Sequence, residues 1–463
     1  MKKKIYFILI FQFFVINCFS QIDGQFIHDS INSKIYNQSR EYYVYLPDNY
    51  SNDSLQKYSV GYVFDSQFPP YLTMTSSIMS YYSQTESTEP LILVGIVSED
   101  RQEEFIPDSE ESAVNNTLKG PKRLTQFIKE EIFPLIDEKY RTNSFKIGIG
   151  HSLGGTYLID NLFDKDCIFD AVIAASPNLV FDSEYITKKI NDAFEKHPNI
   201  NKYLYVNVGD KGKMEQAFKN GVLHLDSIIL THDDSSFIWN MNVINDKNHM
   251  ETFIPTFEDG YKNLSSYFHI SFEELNLLVE KTKDSNDFIA KLKDIYAQNE
   301  LITNGVSELN QKEILKIQRD LGRLNRHDLA LLLCTLGLKL SGDNQSENSL
   351  IRISKYHQTY VLCIEAEKLG KEEKYKEAAD LYEDAFALNS IQGTHLLRLR
   401  SIPILAQAKA MELAFEQLEL LSNKYKLGGN SSLINDPLCE SLHKDKRWKK
   451  YMQILKENEN LYR

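Results

Sequence analysis

Gly150-His151-Ser152-Leu153-Gly154 fits the pattern G-x-S-x-G, in which a serine is held on a sharp strand-to-helix turn with its hydroxyl exposed. The neighbouring residues supply that setting. Phe145 to Ile149 reads as an apolar strand and Thr156 to Phe163 as a helix. Gly150 and Gly154 lack the Cβ atoms that would collide in so tight a turn, and Gly155 lets the helix pack closely on the sheet. The chemistry available to Ser152 is nucleophilic attack, assisted by the positive end of the following helix.

A serine hydroxyl attacks well only when a base removes its proton, so a histidine must reach it from elsewhere in the fold. Behind an elbow of this type the partners follow in the order Ser, acid, His. His224, His232, His249 and His269 follow Ser152 before the character of the chain changes. His224 falls within an amphipathic helical pattern, and His232 lies at its C-terminal end, where a surface cation is favourable. His249 ends the polar stretch Asn245-Asp246-Lys247-Asn248 after the last expected strand and is the expected base. The acid belongs beyond the strand Tyr203 to Val208. Asp210, directly after Gly209, is the first choice; Glu215 is the alternative, although it could equally cap the helix beginning near Met214. A Ser-His dyad, with Asp210 as an ordinary turn residue, also stays open. The oxyanion of the reaction needs two preorganised amides. Leu153 is expected to give one, and Ser66 or Gln67, in the turn after Val60 to Phe64, the other.

These residues must be positioned by a sheet covered with helices. Tyr42 to Leu46, Val60 to Phe64, Leu91 to Val97, Phe145 to Ile149, Ala171 to Ala175, Tyr203 to Val208 and Phe237 to Val243 read as strands, several apolar at consecutive positions as in a parallel sheet buried on both faces. Between them, Leu124, Phe127, Ile128, Ile132, Leu135 and Ile136 fall at helical spacing, with Pro134 expected to end or kink that helix. A second stripe takes in Met214, Ala217, Phe218, Val222, Leu225, Ile228 and Ile229. After Phe268 the strand-like runs stop and Lys- and Glu-rich helical segments continue, so residues 21–268 form the expected catalytic domain, 269–308 a helical linker and 309–463 an all-α domain. There Tyr375, Ala378, Tyr382, Ala385 and Leu388 follow the second-helix spacing of a tetratricopeptide repeat.

The chain of 463 residues is long enough for two or three cores, and its 42% hydrophobic content supplies them. A net charge of -13 would repel a phosphate backbone, which argues against nucleic acid as a partner. Lys2, Lys3 and Lys4 before the apolar run Ile5 to Ile16 and the small Ser20 read as a leader over residues 1–20, so the mature protein is expected near Gln21, periplasmic or secreted and without a membrane span. Val15-Ile16-Asn17 lacks the small residue that normally precedes a lipid-bearing cysteine, which speaks against a lipoprotein built on Cys18. Cys167, Cys334, Cys363 and Cys439 show no metal-ligand spacing, and Cys334 reads as a buried apolar residue. Sequons at Asn37 and Asn115 are of the kind an Asn- and Ser-rich chain produces by chance.

From Tyr42 to Phe268 the sequence resembles the esterase family related to esterase D, which includes enterochelin-type siderophore esterases, feruloyl esterases and mycolyltransferases. The resemblance rests on Tyr45-Leu46-Pro47 with Tyr62-Val63-Phe64-Asp65, on Val94-Gly95-Ile96 with Arg101 and Pro107, and on Phe127-Ile128 with Glu131, Pro134 and Tyr140-Arg141. Gly150 to Gly155, Ala175-Ser176-Pro177 and Asn248-His249 complete it. In two places the chain departs from the family: Ser66 stands where Gly usually follows the Asp of the oxyanion turn, and Gly209-Asp210-Lys211-Gly212-Lys213 stands where a Glu commonly comes soon after the Gly. The resemblance implies an α/β-hydrolase fold, a mostly parallel sheet with helices on both faces, and hydrolysis of carboxylic esters through a seryl acyl-enzyme without metal or organic cofactor. Siderophore lactones, feruloylated sugars and acetylated glycans all fit as small-molecule or glycan-linked substrates. An acyltransferase on the same fold and an inactive binding scaffold are the alternatives. Asn435-Asp436-Pro437 through Arg447-Trp448 is similar to the end of tetratricopeptide-like tails joined to some members, which implies docking to a protein partner or orientation near a surface.

Overall fold

The computed structural model describes residues 24–48, 50–51, 56–107, 120–180, 183–196, 200–232, 234, 236–340, 344–388, 394–428 and 431–461. Residues 1–20, read as a leader, and the sequon at Asn115 lie outside them. Contacts divide the chain into two units, one of residues 1–268 with 301–306 and one of 269–300 with 307–463. The segment read as a linker, 269–308, is thus shared between them.

In the first unit the β-rich runs form eight strands: β1 (Gln25–Ser33), β2 (Gln38–Leu46), β3 (Tyr58–Val63), β4 (Ile92–Ile96), β5 (Thr142–His151), β6 (Ala171–Ala175), β7 (Tyr203–Gly209) and β8 (Ile238–Ile244). They pair in the order β1-β2-β4-β3-β5-β6-β7-β8, with β1, β2 and β4 antiparallel neighbours and every later pair parallel. Seven strands stand where the apolar runs put them, and β1 is added at the edge. Parallel neighbours need crossovers, which here are helices: α1 (Pro69–Gln84), α2 (Arg101–Phe105), α3 (Gly120–Phe127), α4 (Phe133–Lys139), α5 (Leu153–Leu162), α6 (Ser183–Lys196) and α7 (Lys213–Ile229), while α8 (Phe253–Ser265) follows the last strand.

Alternate strand residues serve two cores. Tyr62, Phe64, Val172, Ala174, Val206 and Val208 pack with helices α3 to α7 on one face, while Ile147, Ile149, Ile173, Tyr203 and Tyr205 pack with Tyr71 and Met79 of α1 and Phe253, Phe257 and Tyr261 of α8 on the other. Covering helices therefore lie on both faces, which is the α/β-hydrolase arrangement expected from the sequence. Pro134 does not end its helical region. A π-helical turn, Ile128–Ile132, joins α3 to α4, and the Phe133 N–H reaches back to the Ile128 carbonyl, so the proline sits in a first turn where its missing donor costs least.

Among its described residues the second unit is all helical. Helices α9 (Phe272–Glu280), α10 (Ser285–Ile302), α11 (Gln311–Arg323), α12 (His327–Gly337), α13 (Asn344–Lys371), α14 (Tyr375–Ala387), α15 (His395–Gln407) and α16 (Met411–Glu419) follow one another, with shorter turns and a last helix, Lys446–Leu461, behind them. Successive helices pack together, α11 on α12, α12 on α13, α13 on α14 and α15 on α16. Ala378 and Ala385 are buried with Tyr382, so the small positions of α14 lie at its packed face.

Candidate active site

Ser152 stands between β5 and α5 at φ 57° and ψ -123°, a conformation that costs a non-glycine residue about 1–3 kcal/mol. The turn is fixed from both sides. The Ser152 N–H extends the β5–β6 ladder to the Ala175 carbonyl at 2.9 Å, and the Ser152 carbonyl accepts the Thr156 N–H at 3.0 Å. A Cβ on Gly150 would lie 2.7 Å from the carbonyl carbon of Gly154, so only glycine lets the helix rise so close to the strand. Ser152 thereby sits at the head of α5, half-buried, at the carboxyl edge of the sheet.

His249 opens a single 3₁₀ turn, His249–Glu251, after β8, and its Nδ1 lies 2.9 Å from Oε2 of Glu215. A carboxylate only accepts, so Nδ1 carries the proton and Nε2 keeps a lone pair able to take one up. Glu215 is 1% exposed, and its other oxygen accepts the Gly209 N–H at 2.7 Å and the hydroxyl of Ser176. Burial pushes this carboxyl up, but the bonds from His249, Ser176 and Gly209 outweigh it and hold the group below the ordinary value. It stays ionised beside the imidazole.

The structure brings Glu215, and not Asp210, to the His249 ring. Its carboxylate accepts the Asp246 N–H at 2.7 Å and so holds the loop that precedes His249. The physical reason lies in α7. The buried stripe runs Glu215, Phe218, Val222, Leu225, Ile229, so Glu215 faces inward from the first turn, while Met214, read as the head of that stripe, is 52% exposed.

Ser66 and Gln67, expected as alternative oxyanion donors, differ in what their amides meet. The Ser66 N–H is donated to the Ile96 carbonyl at 3.0 Å and its hydroxyl to the Val63 carbonyl at 2.8 Å, so Ser66 is spent on joining β3 to β4. Gln67 holds the turn with its side chain, donating to Asp65 at 2.8 Å and accepting the Ser98 N–H at 2.9 Å, while its own amide meets no acceptor among the described residues. Leu153 is the first residue of α5, so its amide has no partner within the helix. Asp65, at φ 59°, takes a two-pronged ion pair from Arg101 at 2.7 and 2.9 Å, which locks the turn carrying Gln67.

The other histidines are engaged elsewhere. His224 bonds Thr187 at 2.9 Å, and His232 bonds Asn191 at 2.8 Å and stacks on Phe194, while His269 belongs to the second unit. Two residues that carry no role in the sequence reading, Gly209 and Ser176, complete the carboxylate's cradle. A Cβ on Gly209 would lie 2.2 Å from the Lys247 carbonyl, so this close approach is what lets β7 pass under the histidine loop. Among the described residues no group of three or more His, Cys, Asp or Glu is placed to hold a metal ion, and no helix is long and apolar enough to cross a membrane. A cleft of about 730 Å³ lies away from these residues, bordered by Lys122, Asp160, Asp164, Tyr185 and Lys189. It contains none of the groups described above.

Residues 33–245 match the family described as Putative esterase, a span that contains Ser152, Asp210 and Glu215 and stops short of His249. The ferri-bacillibactin esterase BesA of Bacillus subtilis (strain 168) is 24% identical over 202 residues, 40% of this chain and 69% of that protein. An IroE-like serine hydrolase from Shewanella oneidensis superposes with a TM-score of 0.56 at 19% identity, over 68% of this chain and all of that one. A protein described as uncharacterised, from Capnocytophaga ochracea DSM 7271, superposes with a TM-score of 0.58 at 14% identity, over 82% of this chain and all of that one. These last two likenesses concern the fold, and the 82% share is more than the sheet unit alone contains.

Proposed function

We propose that this chain, whose sheet unit belongs to the esterase family matched by residues 33–245, is an exported serine hydrolase that cleaves carboxylic esters through a seryl acyl-enzyme. The observation that carries the reading is the strained Ser152 at the head of α5 together with a His249 ring held in its basic tautomer by the buried Glu215. In this mechanism Nε2 of His249 takes the Ser152 proton as Oγ attacks the ester carbonyl carbon, and the amides of Leu153 and Gln67 receive the oxyanion. Glu215 stabilises the imidazolium so formed. The imidazolium then gives its proton to the departing alkoxide, and a water activated by the same nitrogen releases the acid.

The name of the curated relative makes a ferric siderophore ester the first substrate class to try, beside feruloyl and acetyl esters of sugars. Export rests on Lys2 to Lys4 followed by the apolar residues 5–16. Turnover of a p-nitrophenyl ester by the wild type, abolished in Ser152→Ala and lowered by roughly 10³-fold in His249→Ala, supports the reading. Undiminished turnover in Ser152→Ala removes it. A mature N-terminus near Gln21 in a cell fractionation supports export, and an intact Met1 in the cytoplasmic fraction contradicts it.

A further inference from the structure

His151, the variable residue of the G-x-S-x-G pattern, makes two directed bonds. Its Nε2 lies 2.8 Å from the backbone carbonyl of His249, and its Nδ1 lies 2.7 Å from the hydroxyl of Tyr71 on α1. A carbonyl can only accept, so Nε2 carries the proton; Nδ1 is then a lone pair that accepts from Tyr71. Both ring nitrogens are satisfied in the uncharged imidazole. The same His249 carbonyl also accepts the Thr252 hydroxyl at 2.9 Å, and that hydroxyl lies 2.8 Å from Ser176, which donates to Glu215. His249 is thus held at the ring by Glu215 and at the backbone by His151 and Thr252.

We propose that His151, supported by Tyr71, is a positioning residue that ties the backbone of the base to the strand carrying the nucleophile. The inference rests on the assignment of Ser152 and His249 as nucleophile and base. His249 sits on a lone 3₁₀ turn after an exposed loop, an element with little stability of its own, whereas His151 is the last residue of the central strand β5 and is 2% exposed. Because His151 is bonded covalently to Ser152, any movement of the His249 turn relative to His151 is a movement of Nε2 relative to Oγ. A buried apolar residue would fill this space without needing partners; a histidine there must have both nitrogens satisfied. Burial, and next the charge on His249, push the His151 pKa down to about 4, so His151 stays uncharged while His249, whose ring centre is 4.4 Å away, becomes the imidazolium.

The test uses full-length His151→Leu, His151→Gln and Tyr71→Phe, read by steady-state kinetics on a p-nitrophenyl ester and by the rate of fluorophosphonate labelling at Ser152. Glutamine places an amide N–H the same number of bonds from Cβ as Nε2, so it can still donate to the His249 carbonyl, but it has no counterpart of Nδ1. His151→Leu is expected to lower kcat and the labelling rate about 10- to 100-fold with KM within about twofold, since misplacing a reacting group by about 1 Å can cost about 10²-fold. His151→Gln should recover to within about fivefold of wild type, because a donor to the carbonyl is restored. Tyr71→Phe, which keeps the ring against Phe253 at 4.5 Å, should lower kcat in the wild-type background and have no effect when added to His151→Gln. This coupling decides the matter even where His151→Leu does not fold. Wild-type rates in a folded His151→Leu, or a Tyr71→Phe effect of equal size in both backgrounds, overturn the proposal. A wild-type protein that takes no label at Ser152 overturns instead the assignment of the nucleophile.

Discussion

Glu215→Gln changes one heavy atom and inverts the logic of the site. The carboxylate accepts three bonds, from His249 Nδ1 at 2.9 Å, Gly209 N–H at 2.7 Å and the Ser176 hydroxyl. The Gln carbonyl can keep the last two, which leaves its NH₂ facing Nδ1. That nitrogen must then accept, so the imidazole proton moves to Nε2 and the base is lost. A wrong tautomer of this kind costs about 10⁴ in kcat, or roughly 5.5 kcal/mol. Asp210→Ala removes only the acceptor for the Asp246 N–H, worth about 0.5–1 kcal/mol of loop stability, and should leave kcat within about threefold. The pair is read by kcat on a chromogenic ester, with thermal melts to verify folding. Acid stability gives a second reading. Glu215 has a folded pKa held below its ordinary 4.5, so its contribution is present above that pH and is lost as pH falls through the lowered value. The wild type should therefore lose stability from about pH 4.5 downward, and Glu215→Gln should lack that part of the loss. A collapse of activity in Asp210→Ala beside an active Glu215→Gln refutes the reasoning.

Ser152→Gly relieves the left-handed backbone at φ 57° and should stabilise the inactive protein by about 1 kcal/mol after the greater chain entropy of glycine is set against the relief, seen as a raised Tm; a lowered Tm means the turn is not strained. Gly209→Ala drives a methyl to 2.2 Å from the Lys247 carbonyl and 3.0 Å from Glu215 Cγ, so kcat should fall at least about tenfold through displacement of the histidine loop, and unchanged kinetics contradict that packing. All four described cysteines are free, and burial pushes the thiols of Cys334, Cys363 and Cys439 up to about 12, so a thiol reagent at neutral pH should reach these three only after denaturation; rapid labelling at any of the three in the native protein would show the helical unit to be open.

Much of this was readable because the sheet is buried on both faces. Strands such as β4 and β6 are apolar at every position, and their runs announce themselves. Strand β1 does not. It pairs only with β2 and is mostly polar and exposed, so its register is set by a partner strand and not by a hydrophobic face. Glu215 had a signal that sequence reading passed over: it lies three residues before Phe218 and continues the stripe Phe218, Val222, Leu225, Ile229, the placing of a side chain turned inward. The commitment of the Ser66 amide had none, because it depends on which carbonyl of β4 the register of β3 brings opposite. His151 was equally hidden, since its partners lie 80 and 98 residues away.

The proposed hydrolysis requires that Ser152 become acylated. Mixing the full-length enzyme with a slowly deacylating p-nitrophenyl ester, quenching in acid during the burst and weighing the intact protein and its peptides measures this directly. One acyl group per chain is expected, on the peptide containing Ser152, formed at the rate of the burst and absent from Ser152→Ala. Full turnover with no covalent adduct, or an adduct on another residue that persists in Ser152→Ala, would contradict it.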